Sequence, residues 1–262
     1  MINQAKTCII VPCYNEGLRL DIPAFQHFSD DHPQVHFILV DDGSTDNTPR
    51  LLEKLHAYSE AQFQVLTFGS NKGKAAAVRQ GMLEAIDSGC DYAGYWDADL
   101  SAPLGEIPRL LEKFDNSSLE VIIGSRVKML GHTIERRQIR HYAGRLFATA
   151  ASASLKIPVY DTQCGAKLFR NNEKLRLAFS ADLMSNWAFD VEILHRYLLM
   201  TPDSGNCYAS FINEMPLTRW EDTPGSKVRY IDLFISIYEL ARLYLFYNRE
   251  ETREYYKKPL PV

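Results

Sequence analysis

The chain has 262 residues, 46% hydrophobic and 24% charged, with a formal net charge of −4 and a pI near 6.0. That length suits one large α/β domain carrying an addition, and the lack of a basic excess excludes a general nucleic-acid binder. The five cysteines, Cys8, Cys13, Cys90, Cys164 and Cys207, are odd in number and show no Cys-x-x-Cys spacing, which points away from a zinc site or disulfide framework and toward reduced thiols.

In chain order, the N-terminal stretch runs from Met1 straight into a short apolar run and lacks the apolar centre of a signal peptide. No apolar run reaches the roughly 18–20 residues of a membrane span. The expected location is the cytoplasm, with peripheral contact on the inner face of a membrane. Strands are predicted at Thr7–Val11, where Pro12 breaks the run, at Val35–Val40, at Gln64–Phe68, before Asp97 and at Val121–Gly124. Helices are predicted around Leu18–Phe28, from Thr45/Asp46 onward, and over the Ala-rich stretch after Lys74 to about Ser88. Strands alternating with single helices imply a doubly wound, mostly parallel sheet.

Ligands bind such sheets beyond the carboxyl ends of the strands, near the point where strand order reverses. Polar clusters fall there one after another: Pro12-Cys13-Tyr14-Asn15-Glu16, Asp41-Asp42-Gly43-Ser44, Asn71-Lys72-Gly73-Lys74, Asp97-Ala98-Asp99 and Gly124-Ser125-Arg126. One cluster is ordinary loop chemistry; five on one edge describe a site. No Gly-x-Gly-x-x-Gly turn follows the first strand, and no P-loop is completed. Asp97 and Asp99 would project in one direction if strand geometry continued through them. Paired carboxylates at a strand end suit a hard cation, Mg2+ or Mn2+, that also takes phosphate oxygens. A solvated acidic turn is the other reading of that pair.

Taken as a set, Val11–Glu16, Val40–Asp46, Asn71–Lys74 and Asp97–Asp99 resemble the family 2 glycosyltransferases. The resemblance implies the GT-A fold, a Rossmann-like, mostly parallel sheet with helices on both faces, and inversion at the anomeric carbon. It implies that Asn15 and Glu16 line the donor pocket with Pro12, Tyr14, Asn71, Lys74 and Ala98 beside them. Asp42 or Asp41 would contact base or ribose, and Asp97 and Asp99 would hold the metal and diphosphate. Asp161–Phe169, Trp187–Glu192 and Trp220–Lys227 are similar to the dolichyl-phosphate β-glucosyltransferase group and its bacterial relatives. The implied partners are a nucleotide diphosphate sugar, UDP-glucose first, and a polyprenyl phosphate. In the eukaryotic members an N-terminal anchor precedes the first strand, and no such segment is read here.

A phosphate acceptor is already anionic at neutral pH and needs no strong general base. Cations must bring two phosphates together, and arginine does so bidentately. Arg126 and Arg140 are the candidates, and both match arginines of related lipid-phosphate transferases. Arg136 and Arg137 have a solvated helix face as their competing reading. Gln163 and Lys167 are implied to lie near the transferred sugar; Cys164 between them reads as a small buried residue. Asp190 is either a carboxylate at a helix N-terminus or a base or ligand on the acceptor side. Trp187 and Trp220 either stack on sugar or fill core. The expected division is a catalytic domain over 1–225 and an addition over 226–262, an amphipathic helix and charged tail. In its helix, Arg229, Asp232, Ser236, Glu239 and Arg242 recur at steps of three or four as one polar stripe. The broad apolar remainder suits a membrane interface, a homo-oligomer contact or burial in the core. Two alternatives to lipid-phosphate transfer stand at this stage: transfer to a saccharide or other soluble acceptor, with Asp190 as base, and non-catalytic binding of a nucleotide sugar.

Overall fold

Seven strands make one sheet in the order β3-β2-β1-β4-β7-β5-β8. They are β1 (Thr7–Cys13), β2 (Val35–Asp41), β3 (Phe63–Thr67), β4 (Tyr92–Trp96), β5 (Val121–Ser125), β7 (Ala166–Arg170) and β8 (Ile212–Pro216). Of these, β7 alone runs antiparallel to its neighbours β4 and β5. A second, two-stranded sheet pairs β6 (Thr133–Glu135) with β9 (Arg219–Glu221) in parallel. The computed structural model describes residues 5–115, 117–135, 138–201, 207–221 and 230–257.

Side chains alternate along each strand and feed two cores, one on each face. Ile9, Val11, Phe37, Leu39, Trp96 and Ile122 join one core with α1 (Ile22–Asp31), α2 (Thr48–Tyr58) and α4 (Glu106–Leu111). Ile10, Ile38, Val40, Tyr95, Ile123 and Phe169 join the other. Helices α3 (Lys74–Asp87), α5 (Gln138–Leu155), α6 (Glu173–Ser180) and α7 (Phe189–Met200) cover that second face, together with α8 (Tyr230–Tyr247) and α9 (Glu250–Lys257). The expected α/β architecture is present, with helices on both faces.

Three local expectations are corrected. Pro12 does not end the first strand, because Pro12 is paired in register with Val40. The Cys13 carbonyl accepts from the Asp42 N–H. Backbone groups alternate along a strand, so the N–H that proline lacks would face β4, whose pairing with β1 stops at Ile10. No ladder bond is lost, which is what a strand proline requires. The first helix starts later than its apolar pattern suggests, at Ile22, because Asp21 accepts from the Ala24 N–H and caps it. The second starts at Thr48, since Asp46 binds both the N–H and the hydroxyl of Thr48 ahead of it.

The C-terminal helix resolves into two apolar lines. Ser236, Leu240, Leu243 and Tyr247 are buried, and the three apolar members belong to the α5–α7 core. Ile235, Ile237, Tyr238, Tyr244 and Leu245 are exposed, Tyr238 by 69% and Leu245 by 64%. The polar stripe is divided: Ser236 faces inward, Arg242 faces solvent, and Glu239 reaches another loop. Arg229 lies outside the described residues, as do Arg136, Arg137 and the 222–227 part of the third motif.

Candidate active site

The strand order reverses between β1 and β4, since β1 has β2 on one side and β4 on the other. The loops after β1, β2 and β3 interlock at that edge. Asn15, at φ 51°, takes a left-handed conformation that asparagine tolerates better than most residues. Its N–H donates to Ser44 Oγ at 3.0 Å, and its Oδ1 accepts from the Thr45 N–H at 2.8 Å. The Glu16 N–H donates to Thr48 Oγ1 at 2.7 Å. Asp41 accepts from the Ser44 N–H. Both oxygens of Asp42 are directed at the next loop, accepting from the N–H groups of Lys72 at 2.7 Å and Gly73 at 2.9 Å. Asp41 and Asp42 are each only 2% exposed, so the carboxylates proposed for base or ribose organise the cradle's backbone. Gly43, at φ 68°, packs so closely that a Cβ there would stand 2.5 Å from the Ser70 carbonyl carbon. Pro12 is half-buried, while Tyr14 and Asn71 are exposed on the cradle.

The two central carboxylates come after a strand that ends at Trp96. Alternation therefore does not carry to Asp99; a turn closed by the Leu100 N–H on the Asp97 carbonyl does the placing, with Leu100 at φ 50°. Ala98 between them is buried. Asp97 pairs with Lys74 Nζ at 2.5 Å. Asp99 lies 3.6 Å from Arg19, which also binds Glu16 at 2.5 Å. Arg19 was not singled out in the sequence, although it stands only three residues past Glu16. Burial would raise Asp97, yet Lys74, with Lys167 and Arg126, brings its carboxyl below the usual range. Asp99 is raised, first by burial and then by the charge on Asp97. Burial works against the charge on Lys74, but Asp97, Asp190 and Asp99 outweigh it and raise the ammonium. The pair thus concentrates negative charge that Lys74 and Arg19 compensate in part. Gly165 backs it: its carbonyl accepts from the Asp97 N–H at 3.0 Å, and a Cβ there would meet Asp97 Oδ2 at 1.9 Å.

Beneath Asp97, Asp190 Oδ1 lies 2.6 Å from Lys167 Nζ and accepts from the Tyr95 hydroxyl at 2.5 Å. Lys167 also donates to the Cys164 carbonyl. Asp190 is 5% and Lys167 1% exposed, so both are internal struts of the site, a buried charge pair satisfied by hydrogen bonds. Cys164 is fully buried, and burial followed by the Asp161 charge pushes its thiol up to about 12; it has no nucleophilic character. Trp187 is half-buried at the head of α7.

On the far side, Arg126 forms a two-point pair with Asp161, Nε to Oδ2 at 2.6 Å and Nη2 to Oδ1 at 2.7 Å. It lies over the Trp220 ring at 5.4 Å. Trp220 is itself buried and belongs to the core. Asp161 is fixed in turn by Glu214, which accepts from the N–H groups of Tyr160 and Asp161, both at 2.7 Å. Next to this pair, Ser125 Oγ, Thr162 Oγ1 and Gln163 Nε2 are buried and unpartnered among the described residues. Arg140 is in the first turn of α5, and its side chain lies outside the described residues.

The family described as glycosyl transferase family 2 matches residues 8–175, more than half of the chain. Dolichyl-phosphate beta-glucosyltransferase of Saccharomyces cerevisiae is 30% identical over 240 residues, covering 84% of this chain and 68% of the yeast protein. Polyprenol monophosphomannose synthase of Mycolicibacterium smegmatis is 29% identical over 196 residues, 73% of this chain and 71% of that protein. Among solved structures, glucosyl-3-phosphoglycerate synthase of Mycobacterium tuberculosis in complex with Mn2+, UDP and glucosyl-3-phosphoglycerate is similar in fold. A further structure of that synthase superimposes with a TM-score of 0.63 at 15% identity, covering 93% of this chain and 80% of that one.

Proposed function

Because the chain belongs to glycosyl transferase family 2, we propose that it is an inverting hexosyltransferase that moves glucose from UDP-glucose to a polyprenyl phosphate. The observation that carries this is the Asp97–Asp99 pair at the β1/β4 switch point, with Lys74 and Arg19 against it. The acceptor rests on the yeast and mycobacterial relatives, whose names are those of lipid-phosphate sugar transferases. Asp97 and Asp99 would hold Mg2+ or Mn2+. The fit is favourable because the donor set is oxygen only and two carboxylates stand close together at a strand end, a negative centre suited to a hard cation. When bound, the ion neutralises negative charge on the departing nucleoside diphosphate.

The chain's own residues have the remaining tasks. The interlocked loops of Tyr14–Glu16, Asp41–Ser44 and Asn71–Lys74 bind the nucleoside. Lys74 and Arg19 attract the diphosphate and shield Asp97 and Asp99 from each other. Arg126, braced by Asp161 and Trp220, meets the acceptor phosphate with Arg140, and the unpartnered Gln163 donor meets the sugar. The acceptor oxygen is already anionic, so no group need remove a proton. Asp190 is engaged by Lys167 and Tyr95 and serves as support.

We assign residues 1–225 to catalysis and 226–262 to an addition whose exposed line, Tyr238 to Leu245, rests on the lipid surface that presents the acceptor. Among the described residues no helix is long and apolar enough to cross a membrane. The test is transfer of labelled sugar from a panel of nucleotide sugars into chloroform-extractable product with vesicle-borne polyprenyl phosphate and Mg2+. Extractable label from UDP-glucose is expected; label reaching only water-soluble saccharides would overturn the acceptor. Protein that does not sediment with acceptor-free vesicles would remove the lipid contact.

A further inference from the structure

The loop between α6 and α7, residues 181–188, carries Trp187 and leads to Asp190, and it is held by two carboxylates from different helices. Glu192, on α7 itself, takes its first half: Oε2 accepts from the N–H groups of Met184 at 2.8 Å and Ser185 at 3.2 Å. Glu239, on α8, takes its second half. Its Oε2 accepts from the Trp187 N–H at 2.9 Å, from the Ala188 N–H at 3.3 Å and, in a short bond, from the Ser185 hydroxyl.

Ala188 is the N-cap position of α7 and has no side chain to serve as a cap. The first N–H groups of a helix need partners, and a carboxylate there also meets the positive end of the helix dipole. Ser185 Oγ accepts from the Ala188 N–H at 2.6 Å, and Glu239, 51 residues further along the chain, holds that hydroxyl and adds a second, longer acceptor at 3.3 Å. Its own base is rigid, since Leu240, Leu243 and Tyr247 on the same helix are buried and Tyr247 donates to Glu192 at 2.9 Å. The helix so capped puts Asp190 on Lys167 and Tyr95 behind Asp97. The capped loop also borders the donor cradle: a Cβ at Gly73 would meet Asn186 Oδ1 at 2.9 Å.

We infer that Glu239 is a positioning residue: through the backbone of Trp187 and Ala188 it sets the wall of the site between Lys74 and the acceptor, so the C-terminal helix tunes substrate use. The inference rests on the transferase reading for its substrates, but not for its geometry. Two readouts separate these. The first is amide exchange in a peptide spanning residues 184–190, which needs no substrate. The second is the split between KM and kcat for vesicle-borne polyprenyl phosphate and for UDP-glucose.

Glu239→Ala is expected to speed exchange in that peptide about tenfold and to raise the acceptor KM roughly five- to twentyfold, with the UDP-glucose KM within about twofold. Glu239→Gln keeps one acceptor oxygen and should recover most of both effects. In a Trp187→Ala background, which keeps the Trp187 N–H, Glu239→Ala should still speed exchange at 184–190 but add little to the rise in acceptor KM, because the wall side chain is already gone. A lower melting temperature in Glu239→Ala with unchanged exchange at 184–190 and unchanged KM values would reduce Glu239 to a structural residue. If the wild type labels no lipid, the acceptor reading fails, and the clamp is judged on exchange alone: faster exchange at 184–190 in Glu239→Ala would support it, and unchanged exchange would overturn it.

Discussion

On the side of the cleft proposed for the donor, the loops after β1, β2 and β3 hold one another by short reciprocal bonds: Asn15 to Ser44 and Thr45, and Asp42 to Lys72 and Gly73. Each bond joins residues from motifs already visible as motifs. On the acceptor side, the holding groups come from elsewhere in the chain. Glu214 fixes the backbone at Tyr160 and Asp161, and Asp161 fixes Arg126. Glu106 accepts from the N–H groups of Thr218 and Arg219 and so sets the strand bearing Trp220. Glu239 caps α7. The proposed donor side is a pre-formed backbone cradle; the proposed acceptor side is braced by buried and half-buried carboxylates that are engaged by the protein's own backbone. Substitutions in the first should therefore act on turnover directly, and in the second through geometry.

The largest effect should come from Asp99→Asn, which keeps the size of the side chain and removes a ligating charge. Turnover is expected to fall roughly a thousandfold, about 4 kcal/mol of transition-state stabilisation, with the melting temperature nearly unchanged. Near-normal rates across a Mg2+ titration would sink the metal assignment. A step smaller is Gly165→Ala, where the two sides touch. Its added methyl must displace the Asp97 carboxylate or the β7 backbone, because the undistorted contact would be 1.9 Å. A stability loss of about 1–3 kcal/mol is expected for overpacking of this kind, together with weaker metal-dependent nucleotide binding measured by calorimetry. Binding equal to wild type would show that Asp97 is not held where the geometry requires.

The smallest effect on activity is set by pH and concerns His195 on α7, beside the brace from α8. His195 is buried, bonds to Ser154 at 3.0 Å and stacks on Tyr247 at 5.2 Å. Burial lowers it from the usual 6.5 to about 4. The unfolded chain then binds this proton first as pH falls, so the stability tied to neutral His195 is complete above pH 6.5 and is lost progressively down to about pH 4. Its ceiling is about 3 kcal/mol. His195→Gln should flatten the fall of the urea midpoint between pH 7 and 5 while leaving activity at pH 7.5 near wild type. An unaltered slope would remove His195 from the account.

Much of this molecule was legible from its residues alone. Apolar runs ending in polar clusters located β1 to β5 and the ligand edge, because a strand buried on both faces must be apolar and its loop end must not be. The Asp97–Asp99 pair and the polar loops after β1 to β3 stand out in the sequence because their chemistry is local and contiguous. Other features were not legible. The helix starts at Ile22 and Thr48 depend on caps, and the persistence of β1 through Pro12 depends on how far β4 extends beside it. Asp190 and Lys167 read as site groups, and only packing shows that they neutralise each other beneath it.

Local periodicity and side-chain chemistry thus determined the doubly wound sheet, its ligand edge and the acidic centre, since those depend on neighbours along the chain. Tertiary structure alone decided which carboxylates stand open at the strand edge and which brace the backbone. Partners such as Glu239 and Ala188 are 51 residues apart, and a buried carboxylate is identified by what surrounds it in space, which sequence spacing does not encode.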